Sequence, residues 1–346
     1  MTKAETSQLS TDRLHYRHSA IDQLSEVVGM HDEISPDGLV QQSEVLQPLL
    51  SAFSGFSKSI VEKIYKDQII PASLFHYTSA AGLIGIVSNH TIWFSDAIFM
   101  NDGSEATYGL SVFSAVINEF MADKSDAEKN AAEALQDQVK AALRFFQPII
   151  FCMSARNNLL NQWRDYGRDI VPYCIEFDMA EFENWQGRQC NFPIFVTKVV
   201  YDAAQQRSLT LELIEAIYNR AKELLGDREH FSDEELNPLL SGAAAEIVVV
   251  IGRFKNPAFE AEEEWRAISY RSDVEDKVKR KYRASSLGAV PFYEWYSSKD
   301  PKNLPIKSVT VGPSPYAQVS DLALKQLLVD HGYGETTHFS LIPIRR

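Results

Sequence analysis

The chain has 346 residues, 45% of them hydrophobic and 23% charged, enough to bury a real core in one large domain or two ordinary ones. Its 34 Lys and Arg stand against 47 Asp and Glu, and the formal charge of −13 argues against sequence-independent binding to nucleic-acid backbone. Cys152, Cys174 and Cys190 fit neither a zinc spacing nor a disulfide framework, no apolar run approaches a membrane span, and the polar residues 1–10 do not read as a secretory signal. The expected compartment is the cytoplasm, with no membrane partner.

Residues 1–72 read as an N-terminal appendage, loosely ordered or helical. Within it, Leu46, Leu49, Leu50, Phe53, Phe56, Ile60 and Ile64 have roughly helical spacing, and Pro71 ends the run. Residues 74–77 predict a first strand. Thr78 and Ser79 can cap the helix that follows, with Leu83, Ile84, Ile86 and Val87 as its apolar positions. A second strand is predicted over 91–94, then a turn-rich loop over 95–105 with Asn101, Asp102 and Gly103. Helix is expected over 106–146, broken near 123–125.

Residues 148–154 predict a central strand, 157–166 a short helix, and 172–177 and 192–201 further strands. Helices are predicted over 205–225 and 233–250. A glutamate-rich strand over 262–270 and strands near 289–293 and 306–311 follow. Ser314 and Pro315 open a last helix that His331-Gly332 closes, and 339–344 predict the final strand. The alternation implies an α+β fold over 73–346, with a mixed central sheet and helical insertions.

Several stretches could carry chemistry. If residues 262–270 are extended, Glu262, Glu264 and Arg266 share one face, and Glu263, Trp265 and Ala267 the other. Charges on a core strand are costly unless paired or used. The stretch is therefore either a structural salt bridge or a catalytic carboxylate held by an arginine. His76 is either a satisfied core residue or a neutral imidazole that bonds a ligand hydroxyl. Asn101, Asp102, Ser104 and Glu105 read as an Asx turn into a helix, or as a polar loop over a pocket.

Trp163 and Tyr166, three apart on a helix and flanked by Arg156 and Arg164, read as core packing or as an aromatic pocket wall. Lys277, Lys279, Arg280, Lys281 and Arg283 read as a solvated loop or as a docking patch for an anionic substrate. Neither a glycine-rich nucleotide fingerprint nor a nucleophile elbow is present.

Taken together, residues 74–346 resemble the bacterial family known as domain of unknown function 2971. The resemblance rests on Phe75-His76-Tyr77-Thr78-Ser79, Gly82-Leu83, Trp93-Phe94-Ser95, Asn101-Asp102 with Glu105, Cys152-Met153-Ser154 and Trp163-Arg164-Asp165-Tyr166-Gly167. It continues through Ile175-Glu176-Phe177-Asp178, Phe259 with Glu262, Glu264, Trp265 and Arg266, Val311-Gly312-Pro313, and residues 340–345. The early His-Tyr-Thr strand and the late glutamate strand are in turn similar to the ADP-ribosyltransferase fold.

That similarity implies NAD as the substrate and a protein or nucleic acid as the acceptor, in phage defence or as a toxin. It implies His76 at the adenosine ribose, with Thr78 beside it, and Tyr77 or Trp93 near the nicotinamide. It implies Glu264 as the catalytic carboxylate, Glu262 as the residue that orients the acceptor, and Arg266 as holding Glu264 or gripping a phosphate. Asn101, Asp102, Arg156, Trp163, Arg164 and Tyr166 are then candidates for the pocket wall. The alternatives are a non-catalytic nucleotide or nucleic-acid sensor, and a metal-dependent hydrolase built on Asp102, Glu105, Glu262 and Glu264. Two spatial expectations follow: His76 and Glu264 face one pocket, and Trp163 and Tyr166 line or back it.

Overall fold

The computed structural model describes residues 51–66, 68–99, 105–145, 148–165, 170–186, 190–226, 232–270, 278–285, 288–296 and 303–343. In chain order they form α1 (Phe56–Lys66), β1 (Ser73–Thr78), α2 (Ala80–Asn89), β2 (Ile92–Asp96), α3 (Glu105–Phe120), α4 (Asp126–Phe145) and β3 (Pro148–Ser154). Then come α5 (Leu160–Asp165), β4 (Tyr173–Asp178), α6 (Met179–Gln186), β5 (Phe195–Lys198), α7 (Ala203–Leu225) and α8 (Asp233–Ile251). The chain ends with β6 (Glu264–Tyr270), β7 (Lys281–Ser285), β8 (Gly288–Trp295), β9 (Ile306–Val311), α9 (Ala317–Asp330) and β10 (Thr337–Phe339). The fold is α+β, as the alternation of elements implied.

The chain divides into two compact units that interleave along the sequence. One draws on 1–67, 102–147 and 200–255, the other on 68–101, 148–199 and 256–346. The end of the expected appendage, α1, thus shares a core with the two helical insertions. The rest of that appendage, up to residue 50, lies outside the described residues.

The helical unit is organised by apolar faces. Ile60 and Ile64 of α1 pack with Phe113 and Ile117 of α3, Val139 of α4, Leu213 of α7 and Ile247 of α8. Helix α3 approaches α8 through Gly109, where a Cβ would come 2.5 Å from the Ile251 carbonyl oxygen. The expected break between α3 and α4 is a capping box. The Ser125 N–H donates to Glu128 Oε2 at 2.9 Å, and the Glu128 N–H returns to Ser125 Oγ at 3.4 Å.

Glu246 of α8 is buried and reaches the start of α1, where its carboxylate accepts from the Gly55 N–H at 3.0 Å and the Ser57 N–H at 2.7 Å. An anion here satisfies two of the donors that a helix N-terminus leaves open. Burial pushes the Glu246 carboxyl above its usual range, and the bonds from Ser57 and Gly55 oppose that rise.

The other unit holds a ten-stranded mixed sheet in the order β10-β9-β4-β1-β3-β2-β8-β7, with β6 paired to β3 and β5. Only β10 and β9 run parallel among these described strands. Helices α2, α6 and α9 cover a core that includes Leu74, Ile86, Phe94, Phe151, Ile175, Phe182, Trp265, Trp295 and Leu328.

Residues 281–285 are strand and not solvated loop. Lys281 to Ser285 pair in full register with β8, from Lys281↔Phe292 to Ser285↔Gly288. The charged residues mask an alternation in which 281, 283 and 285 share one face. At α9, Ser314 does not stand at the cap position: its Oγ accepts from the Tyr316 N–H at 3.1 Å, and the helix starts at Ala317. The last strand closes at Phe339, short of the 344 expected.

Glu246→Ala leaves two buried N–H donors without an acceptor, each worth about 1–3 kcal/mol. Urea unfolding followed by circular dichroism is therefore expected to show a loss of about 2–5 kcal/mol for Glu246→Ala and a smaller loss for Glu246→Gln, which keeps one acceptor oxygen. Equal midpoints for the wild type and the Ala variant would show that the clamp contributes nothing.

Candidate functional site

The central strand β3 creates the site. Along one edge it pairs with β6 over its whole length, from Pro148↔Tyr270 to Ser154↔Glu264. A strand has two edges, so β1 and β2 must share the other. Strand β1 reaches it only at Phe75↔Ser154, and β2 only at Ser95↔Ile150 and Asp96↔Ile149. Between those bridges the edge of residues 151–153 carries no ladder, and the sheet splits.

His76 fills part of the split. Its Nδ1 lies 2.8 Å from the Cys152 carbonyl oxygen, and its ring packs on Phe151 with centroids 4.2 Å apart. A carbonyl only accepts, so Nδ1 carries the proton and Nε2 is the acceptor of the neutral ring. Burial, with a smaller push from the Arg283 charge, lowers the His76 pKa to about 4, against the raising effect of the Cys152 bond. The ring is neutral at physiological pH.

A cavity of about 490 Å³ opens at the split, within the size range of small-molecule sites. It is lined by His76 and Thr78 of β1, Trp93 and Ser95 of β2, and Phe151 and Cys152 of β3. Glu262, Glu264 and Arg283 join them, with Gln162 and Asp165 from α5. Two glycines bring α2 against these strands. A Cβ at Gly82 would meet Thr78 Oγ1 at 2.2 Å, and one at Gly85 would meet Trp93 Cζ2 at 2.3 Å. Ser79 caps α2 by accepting from the Gly82 N–H at 3.1 Å.

The two glutamates arrive by different routes. Glu262 ends a 3-10 turn, Pro257–Glu262, and Glu264 begins β6. Glu263 between them has φ of 47°, so the plain alternation expected over 262–266 breaks at this residue. The kink is tied down: Ser154 Oγ donates to the Glu262 carbonyl at 2.8 Å, and the Ala155 N–H donates to the Glu263 carbonyl at 2.9 Å. Glu264 and Arg266 do share a face. They form a buried two-pronged pair, Nε to Oε1 at 2.6 Å and Nη2 to Oε2 at 3.2 Å.

His76 and Glu264 therefore lie on one cavity although 187 residues separate them in the chain. Tyr77 lines it as well, but its hydroxyl is committed, accepting from the Leu159 N–H at 2.9 Å and donating to the Arg156 carbonyl at 3.0 Å. Burial raises the Tyr77 pKa above its usual value.

Other expected positions shift. Trp163 is fully buried and packs edge-on against Tyr77 at 4.8 Å, so it backs the cavity while its helix neighbours Gln162 and Asp165 line it. Arg164 is exposed, and Arg156 pairs with Glu263 at 3.0 Å; neither lines the cavity. Arg266 is spent on Glu264 behind the wall and does not reach in to grip a phosphate. Asn101, Asp102 and Tyr166 lie outside the described residues. Among the described residues no group of three or more His, Cys, Asp or Glu is placed to hold a metal, and no helix is long and apolar enough to cross a membrane.

The residue that sequence reasoning left among the loop charges is Arg283. It sits on β7, lines the cavity, and donates from Nη2 to Ser95 Oγ at 3.0 Å. Its alternation with Lys281 and Ser285 was the available signal.

Residues 162–267 match the family model described as "Protein of unknown function (DUF2971)". This supports the family resemblance read from the motifs. The matched segment runs from Gln162 of α5 to Ala267 within β6 and carries Glu262, Glu264 and Arg266. No curated protein and no solved structure matches the chain.

The His76 geometry has a measurable pH signature. The folded-state pKa of about 4 lies below the ordinary value of 6.5, so between the two the unfolded chain binds the extra proton. The stabilisation is complete above about pH 6.5 and is lost as the pH falls towards 4, by about 1.4 kcal/mol for each pH unit crossed. Urea unfolding at pH steps from 7.5 to 4.5 is expected to show this fall, and His76→Asn to remove most of it. An unchanged pH profile in the variant would show that the ring titrates freely in the folded state.

Proposed function

We propose that the cavity binds NAD and that the protein transfers ADP-ribose to an acceptor. The observation that carries this reading is the convergence of His76 and Glu264 on one cavity at the split of the sheet. The resemblance of the early histidine strand and late glutamate strand to ADP-ribosyltransferases supports it by analogy.

Each group then has a task. The neutral His76 ring offers Nε2 to a ribose hydroxyl, while Trp93 and Phe151 offer apolar surface to a flat ring. The N-glycosidic bond from ribose C1′ breaks, and its electron pair leaves with nicotinamide. Glu264 faces the positive charge that develops on the ribose, where a preorganised carboxylate in a dry site acts most strongly. The acceptor nucleophile forms the new bond at C1′, and its proton passes to Glu262. Arg266 is a positioning residue: it fixes the Glu264 carboxylate by two bonds and touches no substrate.

The test is nicotinamide release from NAD, and transfer of labelled ADP-ribose to components of a cell lysate, by the wild type and Glu264→Gln. Turnover is expected to fall about 10²–10³-fold in the variant, with a much smaller change in NAD binding. Because the pair is buried, Glu264→Gln also strands Arg266, at a cost of about 3–5 kcal/mol. The double variant Glu264→Gln with Arg266→Met removes both charges and is expected to recover most of the melting temperature without recovering turnover. Wild-type turnover per folded molecule in either variant would refute the catalytic role. NAD binding by the wild type without turnover would favour a sensor that kept the cavity.

A further inference from the structure

We propose that Arg283 and Ser95 form an anion subsite in the cavity and hold a phosphate group of the bound ligand. Two basic side chains near Arg283, Lys281 and Arg280, have partners. Lys281 pairs with Glu294 at 2.6 Å, and Arg280 donates from Nε to the Tyr293 hydroxyl at 2.9 Å while lying over its ring. Arg283 makes no ion pair among the described residues and donates only to Ser95 Oγ, and its Nε–H is buried without an acceptor. The side chain is nevertheless partly buried, enough that burial lowers its pKa.

A guanidinium presents five donors in a fixed fork and stays charged in proteins. Withdrawing it from water without a counter-charge is unfavourable, and an anion that enters the cavity offsets that cost. Ser95 strengthens the site. By accepting from Arg283 it keeps its own O–H as a further donor on the cavity lining. The field of Arg283 reaches the His76 ring, where it opposes protonation.

The carboxylates on the cavity do not neutralise it. Glu264 is bound by Arg266, and Glu262 and Asp165 come from other elements and form no ion pair with Arg283. Arg283 stands on β7, three strands from β3 on one side, and Glu264 stands on β6 on the other side. The cavity is therefore lined by one guanidinium as well as by Glu262, Glu264 and Asp165, which suits a ligand that carries both a charged diphosphate and a reacting sugar. That a nucleotide carries the phosphate rests on the transferase reading above; the anion subsite itself does not.

The test is calorimetric titration of the full chain with ADP, inorganic pyrophosphate and adenosine, for the wild type, Arg283→Met, Arg283→Lys and the exposed control Lys279→Met. Wild type is expected to bind ADP, and pyrophosphate more weakly. Arg283→Met is expected to weaken both by about tenfold or more and to leave adenosine binding unchanged. Arg283→Lys is expected to recover only part of the loss, since a point charge lacks the fork. The melting temperature of Arg283→Met is expected to match or exceed wild type, because no internal ion pair is lost.

Equal ADP binding by the wild type and Arg283→Met, or no binding of ADP and pyrophosphate by the wild type, would overturn the subsite. Pyrophosphate binding with none of ADP would keep a free-phosphate site and remove the nucleotide. Loss of ADP binding in Arg283→Met, together with a wild type that never consumes NAD, would keep the subsite and sink the transferase reading. NAD turnover with unchanged ADP binding in Arg283→Met would do the opposite.

Discussion

The unbroken ladder between β3 and β6 is the constraint on which the cavity depends. Seven residue pairs join the two strands, and they occupy the whole of one edge of β3. Every other contact of β3 within the sheet must use the opposite edge. Two strands compete for it, and neither takes more than an end. The backbone between the ends still needs partners, because a buried carbonyl without a donor is costly. At Cys152 a side chain provides one, and that side chain is His76. The same bond fixes the tautomer of the ring, so topology decides which nitrogen can meet a ligand.

Charge placement follows from the same frame. Glu264 opens β6 opposite Ser154, at the end of β3 where β1 makes its only bridge. Arg266 lies two residues on and therefore returns to the same face. The pair is fully desolvated, so its attraction is largely consumed by the cost of taking two charges out of water. Its physical effect is orientation: two bonds hold the carboxylate plane where a single bond would let it rotate. The left-handed turn at Glu263 places Glu262 outside the strand, so the two carboxylates are set by different backbone and can take different roles.

The sequence was informative where local pattern and tertiary demand agree. Residues 148–154 form a run buried on both sides and read as a central strand, which they are. The α3–α4 break was legible near 123–125 because Ser125 and Glu128 form a local capping box. The meeting of His76 with Glu264 came from motif order and face arguments. The split that opens the cavity they share was not legible, since no local signal tells a strand how its partners will divide one edge. Strand β7 shows the opposite case. Its residues are charged and half-exposed, so composition argues for loop, while the backbone ladder to β8 imposes strand. Arg156, in the turn after β3, is drawn to Glu263, and Arg164 is left outside for a different reason: helix spacing fixes which residues share a face, not which face turns inward. On α5 the inward positions go to Gln162 and Asp165, because Trp163 is drawn into the packing around Tyr77.

That packing narrows the chemistry of the cavity. The Tyr77 ring is pinned by Trp163, and its hydroxyl is shared between the Leu159 N–H and the Arg156 carbonyl. Using that hydroxyl on a ligand would break two bonds in a buried setting, which leaves the ring as the part of Tyr77 that shapes the cavity. Trp93, which with Phe151 is among the aromatic residues on the lining, rests its ring against Gly85 and Phe292. Trp93 stands on the strand that also carries Ser95, the hydrogen-bond partner of Arg283. A flat ring on Trp93 and an anion on Arg283 would be positioned by two strands of one sheet, tied by the Arg283–Ser95 bond. Such shared support gives a site geometric precision that loops rarely provide.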